Sequence, residues 1–269
     1  MSVFTQFRND ISDLIGLWKM VGTTSTVEWA LIRMSSQFHI NWPESWRVHP
    51  RQVQRELLVR LRGSSDINVF NQIFIRQEYS SLRNLENVLT VLDLGANVGY
   101  SSACFLSCFP NSRVVAVEPD ERNVEVCRVN LEPYGDRVQL LHGAVWSECT
   151  TLCLARGAFG DGREWATQVV WPTDGNAGSV QAWDVGALIE IAGAEQVELL
   201  KVDIERAELA VFGDTARKWL PKVRNICIEL HGPDCEEAFF SALADFDYEL
   251  DHAGELTICR NIQPKTEAH

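Results

Sequence analysis

The chain has 269 residues, of which 46% are apolar, and a formal net charge of −13. That length supports one main domain with a full-sized core and leaves room for a cap or a small second module. The acidic balance gives no global attraction to nucleic acid or to an anionic membrane, so neither is expected as a partner.

No window reaches the run of about 20 apolar residues that a membrane-spanning helix needs. Arg8, Asp10 and Asp13 stand where a signal peptide would be apolar, and a cytoplasmic protein without a membrane span is expected. The 8 cysteines fall mostly within apolar runs, as buried thiols of a reduced compartment do. Cys149 and Cys153 have no nearby pair of histidines to complete a zinc site, so no metal is expected there.

Ile11, Leu14, Ile15, Trp18 and Val21 recur at helical spacing, and Ser25 with Glu28 forms a capping box ahead of Trp29 and Ile32. These helices are expected to dock as a cap and to offer a face for a homo-oligomer. Trp18, Trp29, Trp42 and Trp46 are expected to pack there rather than to line a substrate mouth. Leu57, Val59 and Leu61 alternate with Leu58, Arg60 and Arg62 as a half-buried strand would. A short helix then carries Ile67, Phe70, Ile73 and Phe74 on one face. The expected division is a cap and preface over 1–87, a main domain over 88–262 and a tail over 263–269.

From Val88 onward strands alternate with helices, the sign of a largely parallel sheet. Strands are expected at 88–94, 113–118, 137–141, 197–202 and 223–230, with a further extended segment at 151–154. Helices are expected on the face traced by Val98, Ser102, Phe105, Leu106 and Phe109, and at 121–131, 185–191, 207–212 and 236–243. Residues 155–179, rich in Gly and polar side chains, read as a long loop that either covers a site or is mobile. Two short strands at 248–251 and 255–259, joined by a Gly-containing turn, close the chain.

Gly95 and Gly99 sit where the first strand turns into a helix, so the amides of that turn are expected to meet an anionic group at the positive helix end. Gly95-Ala96-Asn97-Val98-Gly99 lacks the middle glycine of the dinucleotide fingerprint, which counts against NAD or FAD. S-adenosylmethionine asks instead for a Gly-rich loop, an acidic strand end for its ribose diol and an apolar slot for its adenine. Asp93 closes the first strand and Glu118 the second, 25 residues later. An acidic ribose ligand is expected about 20 residues beyond such a motif. Glu118 is therefore expected to accept both ribose hydroxyls, with Asp93 facing the same crevice.

Several separated segments resemble the FkbM-type methyltransferases: VLDLGANVGYSS, VVAVEPDERNVEVCRVN, LLKVDIERAELAVFGD and ICIELHG, with a weaker likeness in VRLRGSSDINVFNQIFIRQEY. The resemblance implies an α/β, Rossmann-like class I methyltransferase fold with a mostly parallel seven-stranded sheet, its last strand inserted antiparallel, behind an N-terminal helical and strand cap. It implies S-adenosylmethionine as methyl donor, bound at the carboxyl ends of the first four strands. It also implies, as a rule, O-methylation of a small-molecule acceptor such as a natural product or a sugar unit. N-methylation with the same donor loop, or a non-catalytic module that binds the donor or a partner, are the competing expectations.

By the resemblance, Asp93, Gly95, Asn97, Gly99 and Glu118 map to the donor site. His142, Gly143 and Ala144 lie where the adenine would be edged, and Trp146 either stacks on it or packs in the core. Asp203 and Glu205 would flank the sulfonium. His231 is expected to be the base that takes the acceptor's proton, since an imidazole of ordinary pKa near ~6.5 is largely neutral at physiological pH. Glu229, two residues earlier, would orient the ring or the substrate. In one departure from the family, Arg206 follows Glu205 where glycine is common. A side chain there opposes left-handed backbone, and Arg206 is expected to pair with Glu205 and face solvent.

Overall fold

The computed structural model describes Trp18, Gly22, Thr26 and residues 44–155, 168–170 and 179–266. Apart from Trp18 and Thr26, the helices expected over 11–21 and 25–32 lie outside the described residues, as do Trp42 and most of the loop expected over 155–179. The chain divides into two compact units, Met1–Ser80 and Ser81–His269. No helix among the described residues is long and apolar enough to cross a membrane.

In the first unit, β1 (Ser45–Val48) pairs antiparallel with β2 (Leu57–Arg60), whose alternation buries Leu57 and Val59. The turn after β2 is fixed by charge. Asp66 opens α1 (Asp66–Phe70) fully buried, its Oδ2 accepting from the Arg60 amide at 2.8 Å and its Oδ1 from the Arg60 guanidinium at 2.7 Å. The chain then continues as a π-helix over Asn71–Ile75. Trp46 and Phe70 pack with ring centroids 6.3 Å apart, and Phe70 and Phe74 at 5.0 Å, so Trp46 serves the core as its composition suggested. Trp18 is exposed.

The second unit contains, in chain order, β3 (Thr90–Leu94), α2 (Tyr100–Cys108), β4 (Arg113–Glu118), α3 (Glu121–Leu131), β5 (Val138–His142), β6 (Ala144–Val145), β7 (Thr150–Ala155), β8 (Gln168–Val170) and β9 (Ser179–Trp183). It continues with α4 (Val185–Ile191), β10 (Leu199–Val202), α5 (Glu208–Val211), β11 (Ile226–Glu229), α6 (Pro233–Ala242), β12 (Phe246–Ala253) and β13 (Leu256–Pro264).

Seven of these strands form one sheet in the order β12-β13-β11-β10-β3-β4-β5, in which β13 alone runs against the others. The fold is thus α/β, of the Rossmann-like class I methyltransferase type. Its central strands are short and mostly apolar because helices cover both faces, with Asp93 in β3 and Lys201 in β10 as buried exceptions. Leu92, Leu94, Leu200, Val202, Ile226 and Ile228 are all fully buried. Helix entries are set locally. Asp120 caps α3 by accepting from the Arg122 amide, Asp184 caps α4 by accepting from the Ala187 amide, and Pro233 opens α6 where a missing N–H costs nothing.

A second, four-stranded sheet follows the order β6-β9-β7-β8 around Ala144, Leu152, Val180 and Ala182. Only β7 was legible in the sequence. β8 lies within the segment read as loop, and it pairs antiparallel with β7.

Candidate functional site

The chain runs outward from β3 through β4 to β5 on one side of the sheet, and from β10 to β11 on the other. The reversal between β3 and β10 is the topological switch point, outside whose carboxyl ends open α/β sheets bind ligands. The Gly95–Gly99 turn follows β3, Glu118 ends β4, Asp203 and Glu205 follow β10, and Glu229 and His231 stand at the end of β11.

Gly95, Asn97 and Gly99 have φ of 78°, 51° and 85°, in the left-handed region. A Cβ at Gly95 would lie 1.8 Å from the Asp203 carbonyl oxygen, and one at Gly99 would lie 3.0 Å from Cys127 Sγ. The glycines are therefore required by backbone shape and by close packing of the turn against β10 and α3. The amides do not form the anion cradle that the sequence led us to expect. Gly95 and Ala96 both donate to the Val117 carbonyl, at 3.0 and 2.9 Å, and Gly99 donates to that of Ala96 at 2.8 Å. The Asn97 amide donates to Glu118 Oε2 at 2.9 Å. The turn crosses the end of β4 and satisfies the donors of Gly95, Ala96 and Asn97 there, and that of Gly99 within itself. The Asn97 side-chain Oδ1 is left buried without a hydrogen-bond partner.

Asp93 does not face a crevice. It is fully buried, and its Oδ2 accepts from the hydroxyls of Ser101 and Ser102, both at 2.6 Å. Lys201 Nζ stands 3.3 Å from Asp93 Oδ1 and donates to the Gly95 carbonyl at 2.7 Å. Burial works against the charge of Lys201, yet Asp93 and Asp203 hold its pKa above the ordinary value. Asp93 and Lys201 thus pin the turn from beneath. Lys201 had no role in the sequence reading, although it opens the Lys-x-Asp-x-Glu pattern.

Glu118 is also buried. Its Oε1 accepts from the Asp120 amide at 2.9 Å and from Asn123 Nδ2 at 3.2 Å, so the carboxylate expected to accept both ribose hydroxyls already has protein donors on Oε1. A carboxylate oxygen has two acceptor positions, and Oε2 uses one of them for Asn97. Burial raises the Glu118 carboxyl to about 7 against the pull of these donors.

The adenine-side residues separate. The Gly143 amide donates to the Glu118 carbonyl at 3.0 Å, and a Cβ on Gly143 would lie 2.1 Å from the Trp183 ring. Trp183, overlooked in the sequence, and the Gln181 backbone carbonyl, 2.5 Å from such a Cβ, together demand glycine here. Ala144 pairs with Ala182 inside the small sheet and is buried in its core, not at a ligand edge, because the chain has already turned into β6. Trp146 packs on that same core. His142 is exposed, with Nε2 3.2 Å from the Pro119 carbonyl.

At the other side of the switch point, carboxylates converge on His231. Its Nδ1 lies 3.0 Å from Oε1 of the fully buried Glu208, which also accepts from the Ile204 amide at 3.1 Å. Its Nε2 faces Glu205 Oε2 at 3.7 Å, Glu229 Oε1 at 3.7 Å and Asp203 Oδ1 at 3.9 Å. Burial disfavours the imidazolium, but Glu208, then Asp203 and Glu205, lift the ring to about 9. At neutral pH both nitrogens then carry protons, and the ring is not the neutral base expected from its ordinary pKa. Burial raises the Glu205 carboxyl to about 7, with His231 pulling the other way. One atom each from Asp203, Glu205 and His231 lies within 4.8 Å of the others, an arrangement that suits a cation.

Glu205 and Arg206 have φ of 49° and 74°, so the chain takes the left-handed conformation even where the family's glycine is replaced. Arg206 does not pair with Glu205. Its guanidinium donates to the His231 carbonyl at 2.9 Å and pairs with Asp234 at the start of α6.

A family model described as the methyltransferase FkbM domain matches residues 93–255, which take in every site residue named above. The chain belongs to the FkbM methyltransferase family. It is an S-adenosylmethionine-dependent methyltransferase. Among curated proteins, this FkbM methyltransferase is similar to the 2-O-methyltransferase NoeI of Sinorhizobium fredii, at 26% identity over 176 residues, 58% of this chain and 72% of NoeI. It is similar to the AMB antimetabolite synthetase AmbE of Pseudomonas aeruginosa at 28% identity over 200 residues, which is 61% of this chain but 9% of AmbE. Of solved structures, an S-adenosylmethionine-dependent methyltransferase from Agrobacterium tumefaciens aligns with a TM-score of 0.43 at 11% identity, covering 84% of this chain and 72% of that one.

Proposed function

We propose that this FkbM methyltransferase methylates a hydroxyl of a small molecule, such as a natural product or a sugar unit. The observation that carries the reading is the convergence of Asp203, Glu205 and Glu229 on one side of His231, next to the Gly95–Gly99 turn. A hydroxyl must give up its proton to become a good nucleophile, whereas a neutral amine need not. A group of carboxylates beside the donor turn therefore suits oxygen better than nitrogen. The resemblance to NoeI, a 2-O-methyltransferase, supports the same choice.

S-adenosylmethionine supplies an electrophilic methyl group on a cationic sulfur. The residues present fit such a donor. Oε2 of Glu118 keeps acceptor capacity for a ribose hydroxyl, and the buried, unpartnered Oδ1 of Asn97 would accept from the donor's amine. Asp203, Glu205 and Glu229 offer negative charge for the sulfonium. The proton of the acceptor hydroxyl goes to one of these carboxylates, and His231, protonated, balances their charge and orients them.

Calorimetry with S-adenosylhomocysteine and product analysis test the reading together. We expect S-adenosylhomocysteine to bind, NAD not to bind, and methyl label from the donor to appear on oxygen of the acceptor. Label found on nitrogen, or no affinity for S-adenosylhomocysteine, overturns it.

A further inference from the structure

Two cysteines that take no part in methyl transfer stand one helical turn apart in α2. Cys104 is buried, Cys108, the last residue of the helix, is half-buried, and both thiols are free. Positions four apart share a helix face, and the two sulfurs meet there within hydrogen-bond reach. Arg83, from the segment ahead of β3, brings its guanidinium to the Cys108 sulfur. At the same helix end Arg137 donates to the carbonyls of Leu106 and Pro110, at 3.1 and 2.9 Å. The carboxyl end of a helix is negative and disfavours an anion, and the two arginines offset it.

The two thiols are driven apart in acidity. The hydrogen bond from Cys104 lowers the Cys108 thiol to about 7 against its burial, helped by the charge and hydrogen bond of Arg83. The same bond to Cys108, followed by burial, pushes the Cys104 thiol well above the ordinary range. One sulfur is therefore a thiolate to a large extent at neutral pH, while the other keeps its proton. A low-pKa, accessible thiol beside a second cysteine is the arrangement found in redox-sensing pairs. Disulfide closure needs Cβ atoms about 3.5–4.5 Å apart, against about 5–6 Å for helix neighbours, so the last turn of α2 must open. The chain allows this, because it leaves the helix at Phe109, with φ −119° and ψ 84°, and no further helical turn holds Cys108 in place.

We infer that Cys104 and Cys108 form a hydroperoxide-sensitive pair, with Cys108 as the attacking thiolate, Cys104 as the resolving thiol and Arg83 as a positioning residue. The Cys108 sulfur attacks one oxygen of a hydroperoxide. An S–O bond forms, the O–O bond breaks, and the departing alkoxide or hydroxide takes a proton from water. Cys108 is left as a sulfenic acid. Cys104 then attacks that sulfur, the S–S bond forms as the S–O bond breaks, and the hydroxyl leaves as water with the Cys104 proton. The two thiols are oxidised to one disulfide and the hydroperoxide is reduced to an alcohol or water.

The test treats the reduced, full-length chain at pH 7 with stoichiometric hydrogen peroxide, then alkylates free thiols and maps the peptides by mass spectrometry. A Cys104–Cys108 disulfide is expected in the wild type. Cys104→Ser should stop at a sulfenic acid on Cys108 that dimedone traps, and Cys108→Ser should leave Cys104 reduced. Without peroxide, iodoacetamide should alkylate Cys108 at least threefold faster than Cys149, although Cys149 is the more exposed. The Cys108 rate should rise through a midpoint near pH 7, which Arg83→Gln moves upward and Arg83→Lys restores in part. The wild-type measurements decide the matter should a variant fail to fold. Oxidation that spares Cys108, or a Cys108 that reacts no faster than Cys149, overturns the pair, and a midpoint indifferent to Arg83→Gln overturns the role of Arg83.

Discussion

Glu208 and His231, 23 positions apart in the chain, meet at 3.0 Å, with the glutamate fully buried and the ring between it and three further carboxylates. The pair decides which face of the imidazole the site sees. Removing the charge at position 208 should therefore act on the reaction through the ring. We expect Glu208→Gln to lower kcat at least tenfold while affinity for S-adenosylhomocysteine changes less than twofold. Equal losses in both measurements would show that the pair serves the whole fold and not the ring's orientation.

Glu118 should impart a pH dependence to stability. Its folded carboxyl is raised to about 7 from the ordinary 4.5, so the folded protein holds this proton more tightly than the unfolded chain. The contribution is present below pH 4.5 and is lost as pH rises through 7. Over that window Glu118 should cost the wild type up to about 3 kcal/mol that Glu118→Gln does not lose. Urea denaturation of both proteins at pH 5 and pH 8 measures the difference. A gap between the two that does not change with pH would refute it.

Asp93→Ala should damage folding before it damages donor binding, because Asp93 is a buried partner of Lys201, Ser101 and Ser102. Breaking a buried ion pair on one side costs about 3–5 kcal/mol. Denaturant unfolding should register a loss of that size. A variant of wild-type stability that no longer binds S-adenosylhomocysteine would return Asp93 to the ligand.

Gly95→Ala should be among the most damaging single changes in the chain. Its Cβ would enter the space of the Asp203 carbonyl, which belongs to backbone and cannot rotate away, and its φ of 78° disfavours any side chain. Crowding and conformation together are expected to cost on the order of 2–5 kcal/mol. A thermal midpoint within a degree or two of wild type would show that the turn has more room than the structure gives it.

Arg206→Gly sets strain against a surface ion pair. Left-handed backbone at arginine costs roughly 1–2 kcal/mol, while exposed pairs such as Arg206 with Asp234 contribute little. The glycine variant should thus be the more stable protein. Its turnover should fall nonetheless, since the guanidinium also holds the His231 carbonyl. Stability and kcat that move in the same direction would contradict this balance.

Much of the fold could be read along the chain because its signals are local. Apolar runs such as 113–118, the helix over 121–131 with its Asp120 cap, and the Gly95 and Gly99 turn all sit within a few residues of what they determine. The second sheet escaped notice because β6 has two residues and β8 three, too few to show any period, and β8 lies in a Gly-rich stretch. The site was legible as a set of residue types, and its order along the strands pointed to a methyl donor. Charge state and access were not legible. Asp93 is buried by Lys201, Glu118 is partly satisfied by Asn97, and His231 is lifted to about 9 by Glu208 and its neighbours. Each of these pairs joins positions 21 to 108 residues apart, and a pKa or a burial depends on distance in space. The sequence by itself determined which groups this protein has at its strand ends. Only the tertiary structure decided which of them are bound to one another, because desolvation and Coulomb interactions act over a few ångströms whatever the separation along the chain.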